Sequence, residues 1–122
     1  MKKKPDNWYL TPKWQRIRQS VLRRDKYMDM ETARYGIPKQ AEIVHHIFPR
    51  EEFPQYQYEM WNLISLSRRT HNEMHDRDTD ELTEKGMELL RRTCRKNNIE
   101  IPERYMNKKK KGKGKYRDGY QY

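Results

Sequence analysis

Cysteine and long apolar runs are what this sequence most lacks. The 122 residues include one cysteine, Cys94, which excludes an internal disulfide framework and fits a reducing compartment. No apolar run approaches the ~18 residues of a membrane span, and the lysines at positions 2–4 are not followed by the apolar segment of a signal peptide. We therefore expect a cytoplasmic protein with no membrane partner.

Hydrophobic residues are also scarce, at 33% of the chain against 38% charged residues. Such a composition allows only a thin core and favours disordered ends. Nine tyrosines and three tryptophans partly offset the shortage, because each aromatic ring can bury ~150–250 Å². We expect one small domain over residues 11–106, between a basic arm at 1–10 and a disordered basic tail at 107–122.

Positive charge is concentrated at the two ends of the chain. The net charge is +10, and residues 108–122 hold seven basic residues and one acidic, while residues 1–6 hold three basic and one acidic. Basic segments of this kind attract phosphate groups without sequence specificity, in a manner that weakens as salt is added. The charge pattern therefore indicates a polyanionic partner.

All four histidines lie within 31 residues, in the pairs His45–His46 and His71–His75. Two histidines four positions apart on a helix share one face, so His71 and His75 can bind the same divalent ion. The adjacent pair follows an apolar run with strand character, and neighbouring strand residues point to opposite faces. One member of that pair can therefore complete the metal site, and the other is free to act as a general base.

Two longer helices are predicted on either side of the histidines. Thr11 is a suitable N-cap for a helix that starts at Pro12 and continues through the amphipathic segment at 13–26. Thr83 caps a second helix over residues 84–96. Each helix has one apolar stripe expected to face the core: Trp14, Ile17, Val21 and Leu22 in the first helix, and Met87, Leu89, Leu90 and Cys94 in the second.

Three separated segments resemble the signature of the HNH endonuclease family: residues 44–47 (VHHI), 61–66 (WNLISL) and 71–75 (HNEMH). Residues 13–25 are similar to the helix that precedes the core in many small bacterial and phage members. The resemblance implies an α+β fold, with a small ββα-metal (His-Me finger) core between an N-terminal and a C-terminal helix. It implies metal-dependent hydrolysis of DNA phosphodiesters that leaves 5′-phosphate and 3′-hydroxyl ends.

The resemblance also implies a role for each residue of the motif. His45 and His71 would be metal ligands, and His46 the general base. Asn62 would either brace the core by hydrogen bonds, often orienting the base, or reach the metal. His75 matches a further ligand of the colicin-type DNases.

The ion and the DNA contacts follow less directly. Imidazole ligands favour Zn²⁺ or Ni²⁺ by affinity, but Mg²⁺ and Mn²⁺ are more available in cells and are common in the family, so we expect one Mg²⁺ or Mn²⁺ ion. Contacts are expected mainly to phosphate. The candidate residues are Lys13, Arg16, Arg50, Arg68 and Arg69.

One departure from the family concerns a structural zinc. Many members carry two Cys-x-x-Cys pairs, whose places are held here by Asp29 and Thr32 and by Ser67 and Thr70. The sequence therefore predicts that this zinc is absent and that packing replaces the stability it would supply. For the segment at 27–40 we expect that packing to come from Met28, Met30, Tyr35 and Ile37.

Two other functions stay open at this point. The histidines could hold a purely structural zinc in a module that binds nucleic acid without cleaving it. Alternatively, the chain could be the nuclease component of a larger machine, such as one for phage packaging or recombination, in a bacterial host cell.

Overall fold

Two short antiparallel strands with helices on both sides form the fold. The computed structural model describes residues 7–106. Its regular elements are α1 (Pro12–Arg24), α2 (Met30–Ala33), β1 (Ile43–His46), β2 (Leu63–Leu66), α3 (Arg68–Asn72) and α4 (Glu84–Asn97). Short 3₁₀ turns lie at Asn7–Leu10, Pro54–Tyr56, Met60–Asn62 and Glu103–Tyr105. The α+β architecture predicted from the sequence is therefore confirmed.

None of the helices within residues 7–106 is long and apolar enough to cross a membrane. The predicted tail at 107–122, and residues 1–6 of the predicted arm, lie outside the described residues.

The pairing of the two strands decides which way each histidine of β1 points. His45 lies opposite Ile64 of β2, and His46 lies opposite Leu63. Residues paired directly across a sheet share a face, and successive residues alternate between faces. Ile64 packs on the cluster formed with α4, while Leu63 belongs to the cluster formed with α1. The two neighbouring histidines therefore face opposite sides of the sheet.

Helix α1 covers one side of the sheet. The Thr11 hydroxyl accepts a hydrogen bond from the Trp14 backbone N–H, so the predicted cap is present. Trp14, Val21 and Leu22 are buried with Ala41, Val44 and Leu63, and Ile17 is partly buried against them. The Asp25 carboxylate, just after α1, accepts the Ser65 N–H at 3.0 Å. Packing and this hydrogen bond together fix α1 against β2.

Helix α4 covers the other side. Thr83 caps its start, and Asn98 ends it in the left-handed conformation with a φ of 58°. Leu89, Leu90 and Cys94 face the core as predicted. A Cβ on Gly86 would lie 2.5 Å from the Met74 carbonyl oxygen, so only glycine permits this close approach of α4 to the segment after α3.

The helix that carries His71 is shorter than predicted. Helix α3 begins after Ser67, whose hydroxyl accepts the Thr70 N–H at 3.2 Å, and it ends at Asn72. Beyond its end the Met74 carbonyl accepts the Thr83 N–H at 2.9 Å, and His75 forms an isolated antiparallel bridge with Leu82. Pairing with the segment before α4 therefore ends the helix, and His71 and His75 do not share a helical face.

Hydrogen bonds connect the four positions that match the zinc-binding cysteines of the family the sequence resembles. The Asp29 carboxylate accepts the backbone N–H groups of Glu31 at 2.9 Å, Thr32 at 3.0 Å and Ser67 at 2.9 Å. The Ser67 hydroxyl lies 3.1 Å from the Thr70 hydroxyl. Asp29 is fully buried. This carboxylate therefore joins α2 to the start of α3.

The prediction that apolar side chains hold the segment at 27–40 by packing is wrong in part. Tyr35 is 73% exposed and Ile37 is 50% exposed, so neither holds the segment in place. Asp29 does so instead. Burial alone would raise the pKa of its carboxyl, but hydrogen bonds from Thr70, Thr32 and Ser67 outweigh burial and hold the pKa below its ordinary value.

Replacing Asp29 should therefore destabilise the protein strongly. In Asp29→Ala the buried Glu31 and Ser67 N–H groups lose their acceptor, and we expect the free energy of unfolding to fall by about 2–4 kcal/mol. Urea denaturation at neutral pH measures this. Asp29→Asn, which keeps one acceptor oxygen, should lose less, and the exposed Asp78→Ala should change little. A loss below about 1 kcal/mol in Asp29→Ala would contradict the role given to this carboxylate.

Candidate metal centre and active site

Three histidines from three different segments converge at one point. His45 comes from β1, His71 from α3, and His75 from the bridge that follows α3. Their ring centroids are 5.3, 5.3 and 5.4 Å apart, which is close to an equilateral triangle. One ligand atom from each ring lies within 4.8 Å of the others. The three rings therefore surround one point, and histidine nitrogens are common ligands of divalent ions.

The surroundings of His45 support a metal at this point. Its side chain is 1% exposed, and neither ring nitrogen has a hydrogen-bond partner within the described part of the chain. Buried polar atoms without partners are rare and costly. A divalent ion would supply the missing partner to one nitrogen, so the residues present fit a metal ion.

The protonation states of the ligand candidates also fit. Burial, and then the nearby His71, His75 and His46, hold the pKa of His45 well below its usual range. Burial is also the main cause of the lowered pKa of His71, to which His75 and Arg68 add, while the Asp80 carboxylate opposes the shift. Neutral imidazole is the form that binds metal, so these two rings are ready to do so without first losing a proton.

His46 lies on the other side of the sheet in an aromatic enclosure. Its ring stacks on Trp14 with centroids 4.9 Å apart at an angle of 23°, and Trp8 approaches it at 5.6 Å. The Arg50 guanidinium lies 4.3 Å from the centre of the Trp8 ring. His46 Nε2 is 3.1 Å from the Gln57 carbonyl oxygen. A carbonyl can only accept, so Nε2 carries the proton and Nδ1 is left with a free lone pair.

The pKa of His46 differs from the value near 6.5 assumed for a free imidazole. Burial, helped by the positive charge of Arg50, lowers it to about 4, although the hydrogen bond to Gln57 acts in the opposite direction. The ring is therefore neutral across the physiological range and is a weaker base than expected. The enclosure keeps it unprotonated and fixes its orientation.

Asn62 takes the bracing position and not the metal-binding one. Its side-chain oxygen accepts the Phe48 N–H at 2.7 Å, and its amide donates to the carbonyls of Phe48 at 3.3 Å and Tyr56 at 3.2 Å. All of its amide hydrogens are therefore used within the loop between the strands. Because Tyr56 precedes Gln57, these bonds help place the carbonyl that orients His46.

The metal candidates and the base candidate open into one cleft of about 910 Å³. Of the predicted DNA contacts, Arg50 and Arg68 line it, whereas Lys13, Arg16 and Arg69 do not. Lys13 instead lies 4.1 Å from the centre of the Tyr58 ring. The structure thus brings two of the five basic candidates to the site.

Sequence reasoning missed several groups that line or support the cleft. Arg18 lines it and donates to the Glu42 carbonyl at 2.9 Å. Its place among the basic residues of the predicted first helix was the available signal. The carbonyls of Gln57 and Asp80, which contact His46 and His75, had no signal, because every residue carries a carbonyl.

The metal-free protein should lose stability as the pH falls. The pKa of His46 is 6.5 when unfolded and about 4 when folded, so between these values the unfolded chain binds more protons. Stability is therefore full above pH 6.5 and declines toward pH 4, by about 3 kcal/mol from His46. Denaturation with chelator across this range should show a shallower decline in His46→Gln. Parallel curves for the two proteins would contradict this assignment.

No family model and no curated protein matches the sequence. Among solved structures, the chain is similar to the HNH endonuclease of the deep-sea thermophilic bacteriophage GVE2, crystallised with a manganese ion. The two chains are 32% identical, the match covers 53% of this chain and 71% of that one, and the TM-score is 0.52. The similarity therefore lies in the sequence as well as in the fold.

Proposed function

The chain belongs to the HNH endonuclease family, and we propose that it hydrolyses DNA phosphodiester bonds with one divalent metal ion. In this proposal His45, His71 and His75 hold the ion, and His46 is the general base. The observation that carries it is the convergence of three imidazoles in an open cleft, which a fourth, separately oriented imidazole also lines.

The number of ligands favours a catalytic ion over a structural one. Structural zinc sites use four protein ligands and are closed, while catalytic sites use three and leave a position for water or substrate. Among residues 7–106 the metal cluster comprises three histidines, two of them half-buried at the cleft. This arrangement supports the enzyme over a binding module with a purely structural zinc.

The orientation of His46 suits the removal of a proton from water. Donation from Nε2–H to the Gln57 carbonyl leaves Nδ1 as the acceptor, and stacking on Trp14 restricts rotation of the ring. Asn62 holds the neighbouring Tyr56 carbonyl, so it acts as a positioning residue. His46 would take the proton as water attacks phosphorus, and its rotamer would already be set.

The cation would neutralise charge on the scissile phosphate, and the arginines would neutralise charge on neighbouring phosphates. When bound, a divalent ion supplies Lewis-acid stabilisation of the scissile phosphate and of the leaving oxygen. Arg50 and Arg68 at the cleft would bind neighbouring phosphates. We propose Mn²⁺ or Mg²⁺ as the ion, with manganese in the phage GVE2 structure as support. Zn²⁺ and Ni²⁺, which imidazole favours, are the alternatives to test.

Cleavage of supercoiled DNA with each of these four ions tests the proposal, with chelator as the negative control. His46→Ala should reduce the cleavage rate by about 10²–10⁴-fold, because the proton acceptor is lost. Zn²⁺ binding to this variant should match the wild type, since the ligands lie on the other side of the sheet. Cleavage by His46→Ala at the parental rate would show that another group is the base.

The cationic part of the cleft makes a separate prediction. The Arg68 side chain is 67% exposed and lies 3.9 Å from Glu42, so a phosphate can readily replace this weak ion pair. Arg68→Gln should weaken DNA binding and reduce the salt dependence of the binding constant by about one counterion. Fluorescence anisotropy at several salt concentrations measures both quantities.

Arg95→Gln is the matched control, because Arg95 is exposed on α4 and does not line the cleft. It should leave both quantities near those of the wild type. Equal effects of the two substitutions would mean that Arg68 contributes only general positive charge.

A further inference from the structure

His75 is the metal-ligand candidate that no helix or strand holds in place. It follows the end of α3 and is half-buried. Its Nδ1 lies 3.2 Å from the backbone carbonyl oxygen of Asp80. Since a carbonyl oxygen only accepts, Nδ1 must carry the hydrogen, and Nε2 is then the nitrogen with a lone pair for the ion. The Asp80 carbonyl thus selects the tautomer of His75.

The Asp80 carbonyl is itself held by a closed turn. The Asp76 carboxylate accepts the backbone N–H groups of Asp78 at 2.8 Å and Thr79 at 3.0 Å. The Asp80 N–H donates to the Asp76 carbonyl at 2.7 Å, and the Asp76 N–H donates to the Glu81 carbonyl at 2.7 Å. Asp80 has a φ of +66°, in the left-handed region that non-glycine residues seldom adopt. Asp76 therefore supports a conformation that Asp80 would not readily keep alone.

Both ends of this turn are fixed to the body of the protein. Met74 and Leu82, which flank it, are buried in the cluster under α4. His75 pairs with Leu82, and Gly86 lets α4 approach the Met74 carbonyl. The turn is thus exposed but closed between two anchored residues, and its internal hydrogen bonds decide where the Asp80 carbonyl points.

We propose that Asp76 is a positioning residue of the metal centre: its carboxylate closes the turn whose Asp80 carbonyl orients His75 for binding through Nε2. The inference rests on the proposed function only in taking His75 as a metal ligand. Groups that hold the second nitrogen of a metal-binding histidine commonly change metal affinity by about 10–100-fold when removed. Asp76 has no direct contact with the ion in this arrangement.

The first test needs no metal and no variant. Long-range ¹H–¹⁵N NMR of the chelated, metal-free protein at mildly alkaline pH distinguishes a protonated Nδ1 from a protonated Nε2. We expect the His75 signal to show the proton on Nδ1. A proton on Nε2 in the wild-type protein would overturn the inference.

The second test compares three variants for Zn²⁺ affinity, measured by competition with a chromophoric chelator. Asp76→Ala opens the turn and should weaken Zn²⁺ binding by about tenfold or more, with a mixed tautomer at His75. Asp76→Asn keeps the acceptor oxygen and should restore both signals. Asp78→Ala also removes a carboxylate from this turn, but the Asp78 carboxylate makes no hydrogen bond within residues 7–106. This variant should therefore behave as the wild type.

These controls separate the hydrogen bond from charge and from folding. Asp76→Ala and Asp78→Ala each lose one negative charge, so equal weakening in both would overturn the role of the turn. Wild-type Zn²⁺ affinity in Asp76→Ala, or in His75→Ala, would also overturn it. A failure of DNA cleavage would instead count against the proposed function and would leave the tautomer and Zn²⁺ results unchanged.

Discussion

The alternation of side chains along β1 is the constraint on which the candidate site depends. His45 and His46 are adjacent in the chain, but the pleat sends one toward α3 and α4 and the other toward α1. One ring therefore joins two other imidazoles, and the other is enclosed by tryptophans. A shift of one residue in the register between β1 and β2 would exchange these environments. The buried residues on both sides of the sheet prevent such a shift.

Backbone carbonyls and one carboxylate hold the side chains and segments around β1 in position. Gln57 orients His46, and Asp80 contacts His75, in each case through a main-chain oxygen. Asp29 ties the start of α3, and so the helix that carries His71, to the segment around α2. At the positions that match the family's Cys-x-x-Cys pairs, this chain has a buried anion that receives three N–H groups. The protein's own hydrogen bonds therefore make this link.

The sequence was a good guide to residues whose chemistry is in the side chain. It identified the four histidines, the two long amphipathic helices and their caps, and the opposite facing of His45 and His46. It did not show that His75 lies outside a helix, because pairing with Leu82 is a tertiary contact that local helix propensity cannot reveal. It also predicted that Tyr35 is buried, whereas Tyr35 is exposed and the buried Asp29 holds that segment in place. The backbone carbonyls that accept these hydrogen bonds could not be identified from the sequence, because every residue has one.

The two ends of the described chain lie at the same cleft, since Tyr9 and Leu10 line it along with Arg104 and Tyr105. A domain fused directly at residue 7 or residue 106 would thus join the protein close to the histidines. The exposed side chains of Tyr35 and Ile37 are better places for a label. Gly36 between them is less suitable, because its φ of +73° would strain any side chain placed there.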